Sequence, residues 1–294
     1  MADGQIIGFV GYGAMASRMA RHLREAGHTI LAYRPSQKNG TAPDGTEFTS
    51  TPRALAERSD VVMLSLPNDT AQAAATDGPD GLLAGLSSGM LVINTSTVSP
   101  PSAEALARAI GEKGAAAIDA PVSGSTPEAE GAQLLVLVGG ADADVARARP
   151  VLERIGKAVI HAGPAGHGAK LKLVINGIMG AGMAALAESV ALGLAAGLDR
   201  RMLVEALDQV AVLSPHHKRK LKSAAAGDLK PQFPTSLMLK DMGLVLSAGA
   251  AHGVPLPTLA AATQLLSLSR RDHEKEDYSA LLTVMESLAA NDRS

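Results

Sequence analysis

The chain has 294 residues, 46% of them hydrophobic, with 27 Lys plus Arg against 29 Asp plus Glu and no cysteine. That length suggests two domains, and a net charge near −2 argues against nucleic acid or an anionic membrane as the main partner. Without cysteine there is no disulfide, thiolate zinc site or thiol nucleophile, which suits a cytoplasmic protein.

Residues 1–5 carry no basic stretch, so no signal peptide is expected. Residues 5–10 form a short apolar run between Gly4 and Gly11 and predict a buried parallel strand. Gly11-Tyr12-Gly13-Ala14-Met15-Ala16 follows, and then a helical period from Ser17. This is a G-x-G-x-x-G/A fingerprint with a strand before it and a helix after it. Gly11 allows the turn, Gly13 lets backbone approach a pyrophosphate, and Ala16 keeps the helix close. The helix start offers free N–H groups to the phosphates, so residues 11–15 are expected to hold a dinucleotide.

A second strand is predicted over 29–33. An acidic residue at its end would hold the ribose hydroxyl of NAD. Here the chain reads Tyr33-Arg34-Pro35-Ser36, with Lys38 behind. A guanidinium suits a phosphate, so NADP(H) is favoured, with NAD(H) possible. The plain alternative is an Arg34 that points into solvent. Residues 47–59 read as a loop and a short helix. Residues 60–66 are a buried strand ending near Pro67, and 90–94 another ending at Thr95-Ser96-Thr97. Ligands of open parallel sheets lie beyond the strands' carboxyl ends, so Leu66, Pro67 and Thr97 fall on the same rim as Gly11. Taken alone, these are also ordinary turn formers.

A helix over 102–113 and a strand over 115–119 lead to Ala120-Pro121-Val122-Ser123-Gly124-Ser125. Small residues there can expose successive N–H groups to an anion, and Ser123 adds a hydroxyl. Strands at 133–139 and 157–161 flank a helix at 141–155. The alternation predicts a doubly wound sheet.

Gly163, Gly166 and Gly168 then form a loop expected to become helical only after Gly168. In the apolar helix beyond, Lys172 and Asn176 share one face, a turn apart, and can both reach one small carbonyl. The plain alternative makes Lys170 and Lys172 surface lysines. Residues 171–198 are apolar enough to invite a membrane reading. Lys172, Asn176 and Glu188 argue for a buried helix instead. From 199 to 294 every period is helical. His216 and His217 are adjacent, about 100° apart on a helix, and make a poor chelate, so no metal is expected. Residues 270–277 read as a solvated helix end, and Lys240-Asp241 as the start of a polar side.

Read together, Gly8-Phe-Val-Gly11-Tyr-Gly13, Asn94-Thr-Ser96-Thr97, Asp119-Ala-Pro-Val-Ser123-Gly124, the Gly163-to-Asn176 stretch and Lys240-Asp241 resemble the β-hydroxyacid dehydrogenase family. Within it, Ser123-Gly124-Ser125, Gly168-Ala-Lys-Leu-Lys172 and Phe233-Pro with Lys240-Asp241-Met242 look most like the glyoxylate/succinic semialdehyde reductase branch. The resemblance implies an α/β Rossmann-type domain followed by an all-α one, the 6-phosphogluconate dehydrogenase-like fold. The expected division is 1–163, an interdomain helix at 164–198, and 199–294.

The resemblance also implies roles. Lys172 would be the acid/base and Asn176 its partner. Ser123 and Gly124, with Ser125, would hold a small carboxylic acid or aldehyde. Thr97 would touch both cofactor and substrate. Lys240 would lie along the nicotinamide, with Phe233 and Asp241 closing the pocket, in a homodimer or homotetramer. An imine-reducing relative or a non-catalytic cofactor-binding module are the alternatives; the resemblance has imine reductases lacking the lysine.

Overall fold

The computed structural model describes residues 4–37 and 39–291, so Lys38 and the amino-terminal tripeptide lie outside it. In chain order the first part runs β1 (Ile6–Val10), α1 (Ala14–Glu25), β2 (Thr29–Tyr33), β3 (Gly40–Thr41), β4 (Glu47–Phe48), α2 (Pro52–Ala56), β5 (Val61–Leu64), α3 (Asp69–Thr76) and α4 (Leu82–Gly85). It continues with β6 (Leu91–Asn94), α5 (Pro100–Gly111), β7 (Ala116–Asp119), β8 (Val122–Ser123), α6 (Thr126–Glu130), β9 (Leu134–Gly139), α7 (Asp142–Ile155) and β10 (Gly156–Gly163). The helices α8 (His167–Ala195), α9 (Arg200–Gln209), α10 (Pro215–Ala225), α11 (Thr235–Ala251), α12 (Pro257–His273) and α13 (Ala280–Asn291) complete the chain. It divides into two compact units, Met1–Lys172 and Leu173–Ser294, and the division falls within α8.

In the first unit the strands lie in the order β10-β9-β7-β6-β5-β1-β2-β4-β3, with β8 paired to β9. β7, β6, β5, β1, β2 and β4 are parallel. Alternate residues feed two cores. Ile7, Phe9, Met63 and Ile93 pack with Met19 and Leu23 of α1 and Leu152 of α7. Val10, Leu31, Leu64 and Val92 pack with Leu55 of α2 and Ile110 of α5. A strand buried on both faces needs no polar alternation, which is why these runs read as continuous apolar stretches. Each such side chain contributes about 1.5–3 kcal/mol by burial.

Some sequence expectations need correction. The 47–59 stretch does not begin as a loop, because Glu47–Phe48 is β4, which with β3 extends the sheet edge, with Leu31 opposite Glu47. Two-residue strands carry no readable period. They are held from outside: the Tyr12 hydroxyl bonds Thr46 at 2.9 Å, and Arg24 reaches the Thr46 hydroxyl at 2.5 Å. α5 starts two residues earlier than expected, because Ser99 accepts from Ser102 N–H and Pro100 fits the first turn. α8 begins at His167, so Gly168 is helical.

In the second unit Met183, Leu186 and Val190 of α8 form a core with Leu221, Met238, Met242, Leu266, Tyr278 and Leu281. α8 is long and apolar enough to cross a membrane by length and composition, yet 44% of its apolar window is buried inside the protein. Asp199 and Ser214 cap α9 and α10, and Pro257 starts α12. The 270–277 stretch is not wholly solvated. Asp277 is buried against Lys220 at 2.6 Å and accepts from Gln232 and Phe233 N–H.

Candidate active site

The sheet register sets the first unit's rim. Tyr33 pairs with Val10, Val10 with Leu64, Leu64 with Asn94, and Asn94 with Asp119. Five strand ends therefore stand level, over four strand spacings or about 19 Å. The residue after each end continues the ladder: Gly11 N–H bonds Tyr33, Ser65 N–H bonds Val10, Thr95 N–H bonds Leu64, and Ala120 N–H bonds Asn94. Arg34, Gly11 to Met15, Leu66, Pro67, Thr97 and Ser123 to Ser125 all follow those ends.

The dinucleotide fit can be tested on the glycines. Gly11 has φ +91°, and a Cβ there would lie 2.3 Å from the Ser65 carbonyl oxygen. A Cβ on Gly13 would meet nothing within 4 Å. Gly13 is also the N-cap of α1, which has no side-chain cap and no acid in its first turn. A tight turn, open space and bare helix amides together fit a pyrophosphate. The Tyr12 ring packs edge-on between Phe9 and Phe48, so only its backbone serves the loop. Burial pushes the Tyr12 hydroxyl above its ordinary pKa.

Arg34 does not simply point into solvent. It is half-buried, its guanidinium lies 5.2 Å above the Phe48 ring, and it donates to Gln37. Its Nε has no hydrogen-bond partner among the described residues. Ser36 is exposed in the turn closed by Gln37 N–H on the Arg34 carbonyl.

The neighbouring loops are tied together. Asn94 donates to Gln72 at 2.6 Å, Gln72 to the Ser102 hydroxyl at 2.8 Å, and Leu66 N–H to the Ser96 hydroxyl at 2.9 Å. The last of these fixes the Leu66 backbone beside Ser96, and Thr97, next in the chain, is half-buried. Ser123 is half-buried and Gly124 exposed. Ser125 is buried, and its N–H and hydroxyl both bond Glu128, at 2.7 and 2.9 Å.

The two lysines at the start of α8 differ. Lys170 is solvent-facing and paired with Glu104 at 2.8 Å, whereas Lys172 is only 6% exposed. The surface reading therefore holds for Lys170 and fails for Lys172. The loop before them is bonded by Asp119, a buried carboxylate at the end of β7, through Gly166 and Ala169 N–H. Burial raises the Asp119 carboxyl above its ordinary range, against the pull of those amides. Sequence reasoning gave Asp119 no task. The available signal was an acid closing a buried apolar strand.

In the second unit Asn176 is fully buried and its Nδ2 donates to Asp241 Oδ2 at 2.5 Å. Asp241 is also buried, so this polar side faces inward, and Lys240 Nζ lies 2.6 Å from its Oδ1. The Asn176 Oδ1 has no hydrogen-bond partner among the described residues. Phe233 belongs to another set: its N–H bonds Asp277 and its ring meets Tyr278 edge-on at 5.9 Å. Among the described residues no three His, Asp or Glu gather to hold a metal. His216 bonds Tyr278, while His217 bonds Ser214 and the Met179 carbonyl.

Residues 6–163 match the family described as the NAD binding domain of 6-phosphogluconate dehydrogenase. Residues 166–285 match that described as NAD-binding of NADP-dependent 3-hydroxyisobutyrate dehydrogenase. The chain is 36% identical over 286 residues to 2-(hydroxymethyl)glutarate dehydrogenase of Eubacterium barkeri, covering 96% of this chain and 95% of that one. It is 32% identical to the chloroplastic glyoxylate/succinic semialdehyde reductase 2 of Arabidopsis thaliana, covering 95% and 79%. The structure of Mycobacterium tuberculosis 3-hydroxyisobutyrate dehydrogenase with L-serine is similar at a TM-score of 0.83 and 30% identity, covering 96% and 99%.

Proposed function

We propose, from the premise that the chain belongs to the β-hydroxyacid dehydrogenase family, that Lys172 is the acid/base of its reaction and that it favours NADP(H). The protein is an NAD(P)-dependent oxidoreductase acting on the CH–OH group of a small hydroxy acid. When bound, the dinucleotide supplies or takes up the hydride.

In this reading residues 1–163 hold the dinucleotide. The amides of Gly11 to Met15 receive the pyrophosphate. The spare donors of Arg34 take the 2′-phosphate, and Ser36 lines its place. Leu66, Pro67 and Thr97 flank the cofactor. Ser123 and Gly124 hold the substrate carboxylate through a hydroxyl and backbone N–H, while Ser125 shapes that loop through Glu128. Lys172 Nζ gives a proton to the carbonyl oxygen during reduction and takes the hydroxyl proton during oxidation. Its charge also stabilises the developing alkoxide. Asn176 Oδ1 accepts a hydrogen bond from the reacting group, with its amide oriented by Asp241. The family resemblance further assigns Lys240 a cofactor-binding role and Phe233 a substrate-binding one.

The observation that carries the reading is the burial of Lys172 on a helix whose first turn is bonded to the sheet rim. A buried ammonium has a cost that solvent-facing Lys170 avoids. The substrate is a small semialdehyde or 2-oxo acid, in the glyoxylate or succinic semialdehyde class. A cytoplasmic homodimer or homotetramer belongs to the same reading, supported by the cysteine-free composition and by exposed Val174, Ile178 and Leu192 on α8. The test is Lys172→Ala. Turnover with glyoxylate, succinic, methylmalonate and tartronate semialdehydes falls about 10²–10⁴-fold, while NADPH binding by fluorescence is retained. Near-normal turnover refutes the role.

A further inference from the structure

The start of α8 is held in an unusual way. α2, α3, α5, α9 and α10 are capped by the residue just before them: Thr51, Asn68, Ser99, Asp199 and Ser214. Such a cap belongs to the helix's own loop and moves with it. For α8 the acceptor is Asp119, in the last position of β7. Its Oδ1 takes the N–H of Gly166, 47 residues away, at 2.6 Å. Its Oδ2 takes the N–H of Ala169, 50 residues away, at 2.7 Å.

The fit around this carboxylate is close. A Cβ on Gly139 would lie 2.5 Å from Oδ1. A Cβ on Gly168 would lie 2.3 Å from the Leu137 carbonyl oxygen and 2.8 Å from Oδ2. The first turn is thus pressed onto the backbone of β9 and bonded to the end of β7 at once. Two bonds to one carboxylate, at Gly166 and Ala169, fix both the depth and the rotation of that turn. Lys172 follows Ala169 by three residues, about 4.5 Å along the axis on the same side of the helix. Every group in this chain of contacts lies in the first unit.

We propose that Asp119 is a positioning residue, whose carboxylate pins the first turn of α8 to the end of β7 and so sets the reach of the Lys172 ammonium. The proposal rests on the reading of Lys172 as acid/base. It differs from an ordinary stability role in one respect, because its effect on turnover must pass through Lys172.

A double-mutant cycle separates the possibilities. Asp119→Asn keeps the size of the side chain but turns an NH₂ toward one of the two amides. Expected are a kcat lowered about 10–100-fold, as 1 Å misplacements of reacting groups cost, an NADPH Kd within about twofold, and an unchanged far-UV spectrum. In the Lys172→Ala background, single-turnover rates should fall by less than about twofold on adding Asp119→Asn, since the group being positioned is gone. Gly139→Ala keeps Asp119 but drives a methyl against Oδ1 and also against the Pro164 carbonyl oxygen and the Gly168 nitrogen; it displaces the same turn and should reproduce the loss if Asp119→Asn fails to fold. An Asp119→Asn enzyme with wild-type kcat overturns the proposal. So does an equal loss in both backgrounds, which would mean a purely structural role. Normal turnover in Lys172→Ala alone would instead remove the acid/base reading beneath it.

Discussion

At the scale of single residues, the cation at the end of β2 is the most informative. Arg34 is braced by the Phe48 ring and by Gln37, so it loses little freedom when it binds an anion. A charge-assisted hydrogen bond is worth roughly 1.5–3 kcal/mol, or about 10–100-fold in Kd. Arg34→Ala should therefore weaken NADPH by that factor and leave NADH within about threefold. Titration of both cofactors reads this directly, and equal losses would remove the argument for a phosphate partner. Installing an acid, Arg34→Asp, should shift binding from NADPH toward NADH, because a carboxylate repels a 2′-phosphate and accepts from a ribose hydroxyl.

At the scale of an element, the β1–α1 turn separates two kinds of glycine. Gly11 is needed by the fold: its φ is +91° and the Ser65 carbonyl fills the space beside it. Gly11→Ala should cost about 1–3 kcal/mol of stability, as overpacking of a closed site does, seen in the urea midpoint of the purified protein. Gly13 has φ −97°, which any residue adopts, and open space in front of it. Gly13→Ala should leave the urea midpoint nearly unchanged and weaken both dinucleotides about tenfold or more, the cost of about 1.4 kcal/mol in lost approach. Loss of stability in Gly13→Ala without loss of binding would contradict the division of labour within this turn.

At the scale of the whole molecule, each unit keeps its own buried polar anchor. In the second, Lys220 and Asp277 are almost fully buried. The Lys220 ammonium lies 5.4 Å above the Tyr278 ring. Burial pushes Asp277 upward, but the charge and hydrogen bond of Lys220 and the N–H of Phe233 outweigh it and hold the carboxyl below its ordinary value. A depressed carboxyl stabilises the fold at pH values above its unfolded range. That contribution is lost as pH falls through the folded value, so acid should loosen the second unit below about pH 4. Asp277→Ala should cost about 3–5 kcal/mol, because it strands a buried ammonium. It also frees the three amides at Gln232, Phe233 and Ser279, so a matching Lys220→Met change should restore only part of the loss. Thermal melts of the single and double variants across pH 3 to 7 would show both effects, and a pH-independent penalty would count against the ionised pair.

The amino-acid sequence determined the elements whose signals lie within a few residues. The strands β1, β2, β5 and β6 were readable as continuous apolar runs because parallel strands are buried on both faces. The β1–α1 turn was readable because Gly11, at φ +91° against the Ser65 carbonyl, admits no side chain, and the helices of the second part because Ser, Asp, Pro and Gly stop and start them locally. Tertiary structure decided which of Lys170 and Lys172 is buried, and that Asp119, Asp241 and Asp277 are interior acids with distant partners. It also decided that residues 40–48 extend the sheet. The reason is physical: a periodicity reports the face a residue occupies on its own element, whereas the partner of a buried charge is chosen by whatever the fold brings beside it from dozens of residues away.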